Sequence, residues 1–265
     1  MKRRFLLFGL LALILAGCAP KSQPLIPDSE AALRWQLFQQ RTGSPLAYDV
    51  LSGSLRFGPV NDTRRVTYTL WSDCSEEENT RVIRLSVNAG TGTNVANMLF
   101  EQGRMLLFLP REGKAYEGLE TEENMRRIMG LALPMSMNDL NDFLAGGVLP
   151  ALDASAPERY HTEGSGGIVY AVTLNGRRCE LELDEQALPV RWTVPGSWTL
   201  TARYDKAGRP DRLDGVLFST QGEQRMVLLV KNRRPGTDMP ASSLELKIPP
   251  GVAIYPLDRQ PPDRF

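Results

Sequence analysis

Apolar and polar residues alternate with a period of two over most of the chain, which is the pattern of half-buried β-strands. The alternation starts near residue 46 and slips by one position at Ser52-Gly53, where we expect a β-bulge. Turn signals at Gln102-Gly103, Asn175-Gly176 and Lys206-Ala207-Gly208 separate alternating runs. Strands that follow one another through short polar turns predict an antiparallel meander of about ten strands.

The segment before the strands has helical spacing instead. The pair Asp28-Ser29 supplies an N-cap for a helix of about three turns. Leu33, Leu37 and Phe38 recur at the spacing of one helix face, with Trp35 slightly off that stripe. We therefore expect Leu33, Leu37 and Phe38 to form the buried face.

Two further helices are expected near the middle of the chain, where they interrupt the strands. Residues 120–130 carry acidic side chains first and basic side chains later, which the helix dipole favours. The next helix places Leu140, Phe143 and Leu144 on one apolar face and ends at Gly146-Gly147.

These elements predict an α+β protein that is mainly antiparallel β. A sheet of about ten or eleven strands, the last at residues 242–250, curls on itself. We therefore expect a strongly curved sheet or an unclosed β-barrel with a few helices as a lid. Several strands carry large apolar residues on both faces, as at Leu70-Trp71 and 226–230. Two explanations stay open, a core covered by helices and a cavity lined by apolar side chains.

The N-terminus has the parts of a secretory signal. Lys2, Arg3 and Arg4 precede about a dozen apolar residues, fewer than the roughly 20 that a membrane-spanning helix needs. Cys18 follows Leu-Ala-Gly, which resembles the bacterial lipobox. The resemblance implies cleavage before Cys18 and covalent attachment of diacylglycerol and an N-acyl chain such as palmitate; an ordinary signal with an incidental cysteine is the alternative. The same resemblance favours the outer membrane, because Ala19 stands where an Asp marks retention in the inner membrane.

The domain organisation follows from these segments. We expect a signal peptide of the lipoprotein type over residues 1–17 and a lipidated tether over 18–27. A single β-rich domain is expected over 28–250, because no linker long enough to separate two domains lies between 45 and 250. Residues 251–265 form a Pro-rich C-terminal tail in this prediction.

Charge and cysteine content narrow the classes of partner. The chain has 31 Lys and Arg against 31 Asp and Glu, and loss of the signal leaves a small acidic excess. Nucleic acid is therefore not an expected partner. Cys74 and Cys179 permit a disulfide outside the cytoplasm, and two free buried thiols are an open alternative. Two cysteines and the single histidine, His161, do not predict a metal site, and no cofactor is expected beyond the covalent lipid.

No arrangement typical of an active site stands out. His161 lies in a polar stretch that predicts a loop, without a GxSxG serine to form a triad. Residues 89–96 contain glycines but lack the spacing and the crossover helix of a dinucleotide site, so a hairpin loop is expected. The acidic clusters at 73–78 and 120–123 fall in a turn and at a helix start. We therefore do not expect an enzyme.

The order of elements resembles that of the LolA/LolB family. The residues that carry the resemblance are WQLFQQ at 35–40, LSGSLRFG at 51–58, TRVIRLSVNAGTG at 80–92 and DLNDFLAG at 139–146. The resemblance implies an unclosed barrel of about eleven strands whose helical lid covers a hydrophobic cavity for lipoprotein acyl chains. The lipobox makes the chain LolB-like, although the early loop at 72–79 is acidic where LolB exposes an apolar residue. Mycobacterial lipid-carrying lipoproteins of related fold are an alternative model.

This resemblance implies a membrane-anchored carrier or receptor that binds acyl chains or lipoproteins in a hydrophobic cavity. Its expected place is the outer membrane, facing the periplasm. A structural or assembly lipoprotein that binds another envelope protein, through a sheet edge or the Pro-rich tail, is the alternative. The candidates for the cavity wall are large apolar residues of the strands and the lid, namely Trp71, Leu85, Val87, Phe100, Leu107, Met135, Leu140, Tyr170, Trp192 and Trp198.

Overall fold

The computed structural model describes residues 27–40, 48–73, 81–129, 135–147, 157, 159–162, 166–174, 176–219, 222–235 and 239–258. The predicted signal peptide, the lipidation site Cys18 and Cys74 lie outside these residues.

Three α-helices and fourteen strands make up the described part of the chain. The helices are α1 (Asp28–Gln40), α2 (Glu122–Met129) and α3 (Met137–Ala145). The strands before α2 are β1 (Tyr48–Pro59), β2 (Arg64–Asp73), β3 (Val82–Ala89), β4 (Asn94–Glu101), β5 (Arg104–Leu109) and β6 (Lys114–Leu119). The strands after α3 are β7 (Arg159–Thr162), β8 (Ile168–Leu174), β9 (Arg177–Leu183), β10 (Pro189–Val194), β11 (Trp198–Tyr204), β12 (Pro210–Ser219), β13 (Gly222–Pro235) and β14 (Ile254–Pro256).

All fourteen strands form one curved, unclosed sheet, which confirms the predicted fold class. Their order is β14-β6-β5-β4-β3-β2-β1-β13-β12-β11-β10-β9-β8-β7. Every described neighbouring pair is antiparallel except β14, which pairs parallel with β6. Since β7 and β14 end the order without pairing to each other, the sheet does not close into a barrel. The helices pack on one face, which we call the inner face.

The sheet has more strands than the ten or eleven predicted. The stretch around His161, expected as a loop, forms β7 and pairs with β8. The predicted tail contributes β14 and buries Leu257 in the core. Conversely, the strand expected at 242–250 is absent, because a 3-10 helix at Ala241–Ser243 and irregular chain occupy this stretch. Short polar strands such as β7 depend on pairing with a neighbour, which local alternation does not report.

The turns and the bulge are confirmed. Gln102 and Gly103 both have positive φ, 51° and 71°, as a two-residue hairpin turn requires. Leu174 pairs with Arg177 around the predicted Asn175-Gly176 turn. The register of β1 against β13 shifts at Ser52-Gly53, which is the predicted bulge.

Helix α1 buries only part of the predicted face. Leu33 and Leu37 are 56% and 45% exposed, whereas Trp35 and Phe38 are buried. The Trp35 ring centroid lies 5.1 Å from that of Tyr170 on β8. Aromatic side chains bury more apolar area than leucine does, so the helix rotates to place Trp35 inward.

Polar contacts fix α1 over β8 as well. The Tyr170 hydroxyl donates to the Ala31 carbonyl at 2.9 Å, and Arg34 donates to the Gly166 carbonyl at 2.9 Å. Burial raises the pKa of Tyr170 to about 12, so the phenol stays neutral and able to donate. Helix α1 therefore covers the β7–β8 end of the inner face.

Helices α2 and α3 form where they were predicted. The Thr121 hydroxyl accepts from the Asn124 N–H at the start of α2, which buries Met125 and Ile128. Arg127 donates to the Leu257 carbonyl at 3.2 Å, so α2 also holds the chain beside β14. Helix α3 buries its expected apolar face and ends at Gly146, whose φ is 99°.

The absence of a side chain at Gly53 is expected to stabilise the pairing of β1 with β13 at the centre of the sheet. A Cβ at Gly53 would lie 1.8 Å from the Leu229 carbonyl oxygen on β13. We expect Gly53→Ala to lower the free energy of unfolding by about 2 kcal/mol or more in urea denaturation. Gly90→Ala is the matched control, since a Cβ there meets no atom within 4 Å. Equal stability of the two variants would contradict the proposed role of Gly53.

Candidate functional site: an apolar pocket beneath helix α3

A pocket of about 570 Å³ lies between the inner face of the sheet and α3. Strands β1 to β5 and β13 form its wall, and α3 forms its roof. Apolar side chains and Tyr68 make up most of the lining: Leu55, Phe57, Val66, Tyr68, Leu70, Leu85, Val87, Ala89, Val95, Ala96, Met98, Leu109, Met137, Leu140, Leu144, Met226 and Leu228. Its volume falls within the roughly 300–1,000 Å³ of small-molecule sites.

Cross-strand register brings the wall residues together. Leu70 on β2 pairs with Leu85 on β3, and Leu85 pairs with Met98 on β4. Directly paired residues point to the same face of a sheet. On the neighbouring strand, Leu55 pairs with Val66. The pocket wall is therefore a continuous apolar surface built from alternate residues of adjacent strands.

The polar atom of Tyr68 is already satisfied within the protein. Its hydroxyl donates to the Leu229 carbonyl at 3.2 Å. Burial raises the pKa of Tyr68 above its ordinary value, against an opposing influence from Arg233. Tyr68 thus stays neutral and keeps a bonded hydroxyl, so its contribution to the wall is chiefly the apolar ring.

The mouth of the pocket is charged. Arg64 and Arg65 at the start of β2, with Arg111 and Glu112 in the β5–β6 turn, also line the pocket, and all four are exposed. They lie at the edge of the sheet where the β1–β2, β3–β4 and β5–β6 turns come together. The pocket therefore combines an apolar interior with a rim of three guanidinium groups and one carboxylate.

The N-terminus of α3 is held by polar groups. Ser136 and Asp139 form a capping box, with the Ser136 Oγ accepting from the Asp139 N–H at 3.1 Å. The Glu120 carboxylate accepts from the Met137 N–H at 2.5 Å. Burial raises the pKa of Glu120, with the Met137 N–H opposing and Asp139 adding to the rise.

Two arginines hold the rest of α3. Arg81, immediately before β3, donates to the Asp142 carboxylate at 2.7 Å. Burial raises the pKa of Asp142 even though the Arg81 charge acts to lower it. Arg233 on β13 donates to the Leu144 carbonyl at the end of the helix. The roof is thus tied to the sheet by polar contacts at its beginning, middle and end.

Three of the predicted wall residues line this pocket: Leu85, Val87 and Leu140. Trp71 does not, since it follows Leu70 on β2 and points to the outer face. There the Arg84 guanidinium carbon lies 5.0 Å from the Trp71 ring centroid, a cation–π contact.

The other predicted residues lie in the packed core beside the pocket. Phe100 and Leu107 are buried, and neither lines the pocket. Tyr170 packs against α1, and Trp192 packs edge-on against Phe143 of α3 with ring centroids 5.0 Å apart. Trp198, which is also buried, and Met135, which is partly buried, pack in the same core.

Sequence reasoning missed much of the wall and the whole mouth. Among the missed wall residues are Leu55, Val66, Tyr68, Met98 and Met226. For Leu70, one signal was available in the sequence. Leu70 and Trp71 are adjacent and therefore point to opposite faces of the strand, so only one of them could share a wall with Leu85. Pairing of the strands, which selects Leu70, is not visible in the local pattern.

The remaining candidate chemistry stays apart from the pocket. His161 is exposed on β7. Cys179 is buried, and burial raises the pKa of its thiol to about 11. Because Cys74 lies outside the described residues, its pairing with Cys179 stays a prediction. Within the described residues, no group of three or more His, Cys, Asp or Glu side chains is arranged to hold a metal, and no helix is both long and apolar enough to cross a bilayer.

Comparison with solved structures shows the LolA-like fold. A LolA superfamily protein from Nitrosomonas europaea superposes with a TM-score of 0.54 at 12% identity, over 82% of this chain and 97% of that one. A DUF1329 family protein from Desulfovibrio piger gives a TM-score of 0.58 at 12% identity, over 81% and 96%. A candidate outer membrane lipoprotein-sorting protein domain from Vibrio parahaemolyticus gives 0.53 at 12% identity, over 81% and 97%.

The likeness is one of structure alone. No protein-family model matches the sequence, and no curated protein matches it. At 12% identity, the shared feature is the curved sheet with its helices, as the sequence analysis predicted.

The raised pKa of Glu120 predicts a pH-dependent stability. Because the pKa of Glu120 is raised, the folded state binds the Glu120 proton more tightly than the unfolded state does. The free energy of unfolding therefore falls as pH rises through and above the ordinary Glu pKa of 4.5. Glu120→Gln keeps an acceptor for the Met137 N–H but cannot ionise. Its free energy of unfolding relative to the natural protein should therefore be more favourable at about pH 7 than at about pH 4.

Chemical denaturation at the two pH values measures this difference. Glu101→Gln, which removes an exposed carboxylate from the end of β4, controls for the change in net charge. If the difference in the free energy of unfolding between Glu120→Gln and the natural protein is the same at both pH values, the raised pKa of Glu120 is refuted.

Proposed function

We propose that this protein is an envelope carrier or receptor that binds acyl chains, free or attached to lipoproteins, in the pocket beneath α3. The observation that carries this proposal is the apolar wall itself. Side chains from six strands and one helix converge on a space that they do not fill. The mainly apolar lining supports binding of an apolar chain.

The energetics favour an apolar occupant. Each Å² of apolar wall removed from water contributes about 25 cal/mol, so a chain laid along this wall gains without needing directional contacts. Met98, Met137 and Met226 line the space, and methionine is unbranched and adapts to different shapes. A wall of this kind accepts chains of differing length.

The LolA-like fold gives independent support. Two of the superposed structures are a LolA superfamily protein and a candidate outer membrane lipoprotein-sorting protein domain. A shared fold does not by itself fix a shared function. Together with the apolar pocket, it favours handling of lipid or lipoprotein acyl chains.

Membrane attachment through Cys18 is part of the proposal. The Leu-Ala-Gly-Cys sequence after an apolar run supports it. Several acyl chains on one residue hold a protein at a bilayer firmly, since each buried methylene contributes about 0.8 kcal/mol. The short segment between Cys18 and α1 would keep the pocket near the membrane surface, and Ala19 supports the outer membrane facing the periplasm.

Filling the pocket is expected to weaken chain binding. Val87 lines the wall and is only half-buried, so the larger side chain of Val87→Trp can extend into the free space. Binding of a fluorescently labelled monoacylglycerol, which is uncharged, should weaken about tenfold or more in a titration, equivalent to about 1.4 kcal/mol.

Thr67→Trp is the matched control for this substitution. Thr67 is exposed on β2 and does not line the pocket. It should leave both binding and the unfolding midpoint near those of the natural protein. Failure of the natural protein to bind any acyl probe would overturn the proposed function, as would equal binding by the Val87→Trp variant.

The anchor makes a separate prediction. Cys18→Ser removes the sulfur to which diacylglycerol would attach, and so should abolish metabolic labelling with palmitate. The variant should also move from the membrane to the soluble fraction or remain uncleaved. Cys179→Ser, at a buried position in β9, controls for loss of a cysteine and should keep the label. Labelling of the Cys18→Ser protein would rule out Cys18 as the anchor.

A further inference from the structure

We propose that the mouth of the pocket selects amphiphiles with a negatively charged headgroup, a phosphate or a carboxylate. This inference rests on the proposed function, because it assumes that the chain lies in the pocket. It adds the chemical class of the cargo, which the apolar wall alone does not specify.

Arg64 is placed to meet such a headgroup. It shares β2 with Val66 and Tyr68, which lie two and four residues further along on the same inner face. Its partner across the β1–β2 pair is Phe57, which also lines the pocket. The Arg64 side chain therefore continues the apolar wall to the solvent edge and ends it with a positive charge.

Two more guanidinium groups lie at the same edge. Arg65 follows Arg64 at the start of β2, and Arg111 lines the pocket from the β5–β6 turn. Glu112 is the single acidic residue of the lining. Three positive charges against one negative charge leave the mouth with a positive excess of two.

The mouth arginines have no carboxylate partner among the described residues. None of Arg64, Arg65 and Arg111 forms an ion pair or a side-chain hydrogen bond there. Some arginines elsewhere on the sheet do form such pairs, as Arg225 pairs with Glu223 at 2.9 Å and Arg212 with Asp214 at 2.7 Å. Three unpaired guanidinium groups therefore lie where the apolar wall meets water.

This arrangement complements an anionic amphiphile. The chain would lie against the wall, and its phosphate or carboxylate would reach the guanidinium groups, which bind such oxygens in a two-pronged geometry. The adjacent apolar wall lowers the local dielectric and strengthens the attraction. A headgroup that carries a positive charge would lose part of this gain through repulsion.

A free anion is not the expected occupant. Exposed charge pairs contribute little in water and are screened by salt. Burial of the chain supplies the main part of the binding, and the arginines then discriminate between headgroups. Lipids with an anionic headgroup satisfy both parts of the site, whereas inorganic phosphate satisfies only one.

A titration of the full-length protein with three ligands tests this inference. The ligands are lysophosphatidic acid, a monoacylglycerol of the same chain length, and inorganic phosphate. We expect lysophosphatidic acid to bind about tenfold more tightly than the monoacylglycerol at low salt. The advantage should shrink as salt is raised, and phosphate should neither bind measurably nor displace the lipid.

The double variant Arg64→Gln/Arg111→Gln locates the effect. It should remove most of the roughly tenfold ratio between the affinities for lysophosphatidic acid and monoacylglycerol. Any loss of contact between the arginine side chains and the acyl chain affects both ligands alike and leaves this ratio unchanged. Arg203→Gln/Arg234→Gln removes two exposed arginines that do not line the pocket. Because it changes the net charge by the same amount, it is the matched control, and it should keep the advantage.

The possible outcomes separate the two proposals. Equal affinity for lysophosphatidic acid and monoacylglycerol would overturn the headgroup inference and leave the proposed function standing. A preference that survives in the Arg64→Gln/Arg111→Gln variant would also overturn it. Phosphate that binds as tightly as lysophosphatidic acid would show a site for free anions instead. If neither lipid binds, the proposed function fails, and this inference fails with it.

Discussion

The inner face of the sheet is too broad for the helices that cover it, and the rest of the structure depends on this mismatch. Fourteen strands lie side by side, whereas the three helices have 13, 8 and 9 residues. Helix α1 covers the end at β8, and α2 covers the end at β6 and β14. Between them, α3 alone covers the apolar strands. An apolar face that the helices do not cover completely is a candidate binding surface.

Helix α3 can roof this space because polar contacts, and not only packing, hold it. Glu120 meets its N-terminus, Arg81 its middle and Arg233 its C-terminus. Most helices are stabilised chiefly by the apolar surface that they bury. Here the polar ties let Leu140 and Leu144 face a space rather than a fully packed core.

Local pattern predicted the elements better than it predicted their orientation. The turn at Gln102-Gly103 and the bulge at Gly53 were found because they need particular backbone conformations. On α1, Phe38 is buried as predicted, but Trp35 is buried in place of Leu33 and Leu37, because Trp35 packs against Tyr170. The pocket wall was found only in part for the same reason: either Leu70 or Trp71 could have faced inward.

The sequence by itself determined the class of fold, the antiparallel order of the early strands, the three helices and the signal-like N-terminus with Cys18. These features depend on local patterns, in which the residues that matter are only a few positions apart. Only the tertiary structure decided which face of each strand is apolar wall, that β7 and β14 join the sheet, and that Arg64 and Arg111 meet at one mouth. These residues are 47 positions apart in the chain, and only the pairing of intervening strands brings them to the same edge.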